Sequence, residues 1–168
     1  MTPERRVSLV WLAAALAVFG VVQVAQHLRR PTSPPLLAWQ RPVSELTDAQ
    51  RAMFTELRAS LRTAEAQRAA THEWPSLDLT RNARWALRRQ RLAINYVAEA
   101  EGLRWLVLFL EPDPRLHEPA PPEDEEHHTL ADGTALHVTV WTQPLDTPRV
   151  DEVTAFPAAE GWVERVAR

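Results

Sequence analysis

Residues 127–141 read His-His-Thr-Leu-Ala-Asp-Gly-Thr-Ala-Leu-His-Val-Thr-Val-Trp. Ala131-Asp132-Gly133 is a turn sequence between two strand-like runs, because Asp and Gly accept the backbone angles of a tight reversal. Leu136, Val138 and Val140 alternate with His137, Thr139 and Trp141, the pattern of a strand with one face buried. A three-residue loop with Gly133 left-handed pairs Leu130 with Thr134 and sets His127 opposite His137 and Glu125 opposite Thr139. It gathers Leu130, Leu136 and Val138 on one face, which favours it. A two-residue loop at Asp132-Gly133 instead sets His128 opposite His137, with Glu126 on the same face.

Upstream, Leu103 to Leu110 is almost continuously apolar and stops at Glu111-Pro112, as a central strand buried on both faces would. Ile94 to Val97 reads as another strand. Leu77 to Arg91 is compatible with a short helix or with a loop leading to a strand. Thr47-Asp48-Ala49-Gln50 has capping-box form, and Met53, Phe54, Leu57, Leu61 and Ala64 follow at helical spacing. Arg51, Glu56, Arg58, Arg62 and Glu65 are read as lying mostly off that stripe. The helix is expected to reach about Ala70, before Pro75. Downstream, a short segment around Val150 to Phe156 and a last strand from Trp162 to Val166 complete the set. One long amphipathic helix packed on an antiparallel sheet gives an α+β domain over residues 45–168.

Outside that domain, the 22 residues Val7 to Leu28 contain no Asp, Glu or Arg and are bracketed by arginine pairs. As a helix this run would span about 33 Å, enough for the bilayer core. A cleaved signal peptide would have a shorter apolar run of ~7–15 residues, so an uncleaved anchor is preferred. Residues 1–6 form a short tail, and the proline-bearing residues 29–44 a spacer. The layout predicts a single-pass inner-membrane protein, held in the lipid bilayer by residues 7–28, with its C-terminal domain in the periplasm.

Composition narrows the chemistry. There is no cysteine, all 19 basic residues are arginine, and only four glycines are present. Thiolate sites, lysine Schiff bases and glycine-rich phosphate loops are thereby excluded. A net charge of −3 argues against nucleic-acid binding. Ser44, Ser60 and Ser76 lie outside any nucleophile elbow, and no catalytic motif is found, so an enzyme is not expected. Arg81, Arg84, Arg88, Arg89 and Arg91 form a basic stretch that balances the acidic 111–126 loop as solvated surface, or docks an acidic partner or anionic lipid headgroups.

The hairpin carries the one chemical clue. In either register two histidines face each other with a carboxylate two residues upstream. Directly opposed residues have Cβ atoms ~4.5–5.5 Å apart, so two imidazoles can share one ion. His127, His128, His137, Glu125 and Glu126 are therefore the candidate metal set, and zinc the first candidate ion. His117 is a further candidate. Against this stands a plain solvated strand face.

The capped helix, His-Glu-Trp-Pro at 72–75, Ile-Asn-Tyr at 94–96, Leu-Glu-Pro at 110–112 and His-His-x-Leu-x-Asp-Gly-Thr before His137-Val138 together form a pattern. It resembles a family of single-pass membrane-anchored proteobacterial proteins linked to transition-metal uptake gene clusters. The resemblance covers most of residues 45–166. It implies an accessory role in zinc or related metal acquisition beside a metal-transporter partner. The alternative expectation is a structural or assembly protein of the envelope, pseudopilin-like or a scaffold, without metal chemistry.

Overall fold

The computed structural model describes residues 35–113, 115–116, 121–148 and 152–167. The expected N-terminal tail, membrane anchor and the first part of the spacer lie outside these residues, as does His117. Among the described residues no helix is long and apolar enough to cross a membrane.

The chain from Leu36 onward forms a mixed α+β unit of one helix on a seven-stranded sheet. Strand β1 (Gln40–Pro42) leads through a 3-10 turn at Val43–Glu45 into helix α1 (Asp48–Thr71). Five strands follow: β2 (Ala86–Gln90), β3 (Ala93–Ala100), β4 (Leu103–Leu110), β5 (His127–Thr129) and β6 (Ala135–Pro144). A 3-10 turn at Pro157–Glu160 precedes β7 (Val163–Val166). The sheet order is β1-β7-β6-β4-β3-β2, with β5 paired to β6. The sheet is not wholly antiparallel, because β1 runs parallel to β7. β1 also falls in the stretch read as spacer. Three residues bounded by Pro42 carry too little pattern to announce a strand.

Helix α1 begins where the capping box places it: Thr47 Oγ1 accepts from Gln50 N and Gln50 Oε1 accepts from Thr47 N. It ends at His72, whose φ of 58° is left-handed. Met53, Phe54, Leu57, Leu61 and Ala64 are buried with Tyr96, Trp105, Val107, Phe109, Leu136, Val138 and Val140, so the helix covers one face of the sheet. Trp74 packs against Phe109 with ring centroids 4.3 Å apart and planes tilted by 40°, and extends that core. Glu65 departs from the expected polar side: it is only 4% exposed on the buried stripe.

β4 is buried on both faces, as its composition suggests. Trp105, Val107 and Phe109 face the helix, whereas Leu106 and Leu108 join Ala93, Trp141 and Trp162 in a second core on the other face. Val153, Ala155 and Ala158 cover this second core. That covering segment is pinned by Asn95, whose side chain donates to the Thr154 carbonyl at 3.0 Å and accepts from Thr154 N at 2.8 Å. Of the two readings of residues 77–91, the loop leading to a strand is the one found.

Candidate metal centre

The β5–β6 turn adopts the three-residue form. Leu130 N donates to Thr134 O and Gly133 N to Leu130 O, with Gly133 at φ 87°. His127 is therefore paired with His137, and the two-residue register is not adopted. Val138 N donates to Glu126 O. These bonds tie 130 to 134 and 126 to 138, so 127 and 137 form a non-hydrogen-bonded pair, the kind in which side chains stand closest. The two rings stack with centroids 5.0 Å apart and planes 20° apart.

Each imidazole has a carboxylate beside it, hydrogen-bonded at His127 and in looser contact at His137. His127 Nδ1 lies 3.0 Å from both carboxylate oxygens of Asp124. His137 Nε2 lies 3.7 Å from Glu126 Oε2. Burial would raise the Asp124 carboxyl, but the His127 side chain and the backbone N–H groups of Glu126 and His127 outweigh it and hold it below its ordinary range. His137 is also the main influence that lowers Glu126, against some burial. The remaining ring nitrogens, Nε2 of His127 and Nδ1 of His137, have no hydrogen-bond partner among the described residues.

That pattern suits a metal. A ligating histidine is ordinarily oriented by a carboxylate on its other nitrogen, which fixes the tautomer and raises basicity. The fit requires one movement. Two nitrogens each about 2.0–2.1 Å from zinc would stand about 3.4 Å apart at a tetrahedral angle, so the stacked rings must tilt together. As placed, no group of three or more His, Asp or Glu side chains among the described residues could hold a metal ion. An open cleft of about 700 Å³ adjoins the pair, lined also by Leu110, Glu111, Asp113 and Asp132.

The proposed set divides. His127, His137 and Glu126 come together on the sheet face that carries the second core. His128 points to the opposite face, is 5% exposed, and sets Nδ1 2.6 Å from Glu65 Oε1. Alternation along a strand requires this separation of neighbours. Glu125 is exposed and contributes its carbonyl oxygen, which lies 3.2 Å from His128 Nε2 and accepts from Arg58 Nη2 at 2.7 Å.

Three groups join the site from outside the expected set. Asp124 lies three residues before His127, a local spacing that a turn-residue reading could have used. Glu164 is 5% exposed on β7. Burial pushes its carboxyl above its ordinary range, and the negative charge of Glu126 adds to that. Gln40 Nε2 donates to it at 2.9 Å. No local signal links Gln40 to Glu164, since they lie 124 positions apart. Comparison with protein-family models, with curated proteins and with solved structures found no match to this chain.

Proposed function

We propose that this chain is a single-pass, membrane-anchored envelope protein whose exported domain handles a transition metal, zinc first, as an accessory to a metal-transport partner. The observation that carries the reading is the His127–His137 pair, facing across the hairpin with Asp124 hydrogen-bonded to the far nitrogen of His127 and Glu126 3.7 Å from that of His137. His127 Nε2 and His137 Nδ1 would bind the ion, and Glu126 would supply charge beside it. An open site of two imidazoles exchanges its ion, as an accessory protein must, where a closed four-ligand site holds it. The uncharged run from Val7 to Leu28 supports the membrane anchor.

Calorimetric zinc titration of the full chain in detergent micelles tests the reading. Wild type is expected to take up one zinc, and His137→Ala and His127→Ala to lose most of the affinity. Identical uptake by wild type and both variants would overturn it. The envelope scaffold reading would then gain weight from exposed apolar side chains such as Phe156, which is 79% accessible.

A further inference from the structure

We infer that Glu65 and His128 form a positioning latch through which helix α1 fixes the geometry of the His127–His137 pair. The purpose of the latch rests on the metal-handling reading; its construction does not.

His128 and His127 are neighbours on β5 with side chains on opposite faces, so whatever holds His128 also sets the backbone from which His127 projects. The His128 and Glu65 side chains are only 4% and 5% exposed. The carbonyl of Glu125 can only accept, so His128 Nε2 carries a proton and donates to it. A further proton lies between His128 Nδ1 and Glu65 Oε1, which are 2.6 Å apart. Both ring nitrogens are thereby committed inside the fold.

The helix adds two more contacts from the same side. Arg58 Nη2 donates to the Glu125 carbonyl at 2.7 Å, and Arg62 Nη1 donates to Glu65 Oε2 at 3.1 Å. Positions 58, 62 and 65 recur at four and three residues, one stripe of an α-helix. Arg58 grips the hairpin at Glu125 and Glu65 grips it at His128, with Arg62 backing Glu65 from within the helix. Between those two points sit Glu126 and His127, the two residues that meet His137.

A three-residue strand is a poor platform by itself, because so short a ladder frays. A buried acid–imidazole pair is also a poor means of adding stability, since apolar groups of the same volume do as well or better. What such a pair supplies is one defined arrangement, because its hydrogen bonds are satisfied in a single register. Its location directly behind the histidine pair makes orientation of that pair the feature it defines.

The test uses the full chain in detergent micelles with two probes: zinc uptake by calorimetry, and diethylpyrocarbonate acylation of His127 and His137 in the metal-free protein, read by mass spectrometry. Glu65→Leu, which leaves His128 Nδ1 with no partner on the helix, is expected to weaken zinc binding about tenfold, the usual effect of losing an orienting partner, and to speed His127 acylation severalfold. Leu61→Ala, which opens a cavity under the same helix without touching the latch, should lower the melting temperature and move neither readout. Arg58→Met, a change nearer the surface, should shift both readouts in the same direction as Glu65→Leu by a smaller factor, and it decides the matter if Glu65→Leu does not fold. Wild-type values in the Glu65 and Arg58 variants would overturn the latch, as would equal shifts in Leu61→Ala. If wild type takes up no zinc, the metal reading fails alone and acylation still decides the latch.

Discussion

Gln40 and Glu164 stand side by side in the parallel β1–β7 pair, and both are buried where their side chains meet at 2.9 Å. Burial raises the Glu164 carboxyl, and the hydrogen bond from Gln40 offsets this only in part. A carboxyl whose folded pKa exceeds its unfolded value stabilises the fold below the unfolded value, about 4.3, and that contribution is lost as pH rises through the folded pKa. Glu164→Gln keeps an acceptor for Gln40 and removes the charge. It should therefore melt higher than wild type at neutral pH, with the advantage fading as pH falls toward about 4. Thermal melts across that range check it; a variant less stable at neutral pH would contradict it.

The three hairpin histidines should separate by phenotype. His127→Ala and His137→Ala should lose zinc while keeping near wild-type stability, because both rings are half-exposed. His128→Ala should cost about 1–3 kcal/mol, because Glu65 would lose its buried partner on Oε1 and keep only Arg62 on Oε2. Denaturant titration beside calorimetry tells these apart. Zinc uptake should also fall in acid, as the ring nitrogens that must bind the ion take up protons.

Asn95→Ala should cost about 2–4 kcal/mol, since it strands the backbone N–H and C=O of Thr154 in a buried setting. The loss should be regional. Hydrogen exchange should quicken in residues 152–162 and at Trp162 before it quickens in β3 or β4. Uniform acceleration across the sheet would show that the clamp is not local.

A reporter fused at Arg168 should be active only in an exported state, because the folded domain follows a single apolar run long enough to span the bilayer. Cytoplasmic activity at that position would overturn the expected localisation and the envelope role with it.

Local rules made much of the domain legible. The capping box, the β4 apolar run and the Asp132-Gly133 turn each act within a few residues, and helix α1, the central strand and the His127–His137 pairing follow them. What escaped the sequence is long-range. The burial of Glu65 depends on a histidine 63 positions away. Its helical neighbours Leu61 and Ala64 place it on the edge of the apolar stripe, where charge alone argued for the polar side. The β1 strand needs β7, and no periodicity in three residues can announce that. His128 entered the candidate metal set because two registers were open; the adopted one sends it to the opposite face.

The parallel β1–β7 pair also sets an order of events. A chain emerging from its N-terminus can close β2, β3 and β4 as local hairpins, and helix α1 can form on its own caps. β1 has no sheet neighbour until Glu164 to Val166 have emerged. Over that whole interval Gln40 lacks the acceptor it will have, and β6 and the second core around Leu106, Leu108 and Trp141 lack the strand and the Trp162 side chain that will cover them. Closure across 124 positions adds little to the entropy cost but delays the final step. The interval before β7 arrives is thus the one in which a holding chaperone has most to bind, and a truncation that removes only the last strand should prolong it indefinitely.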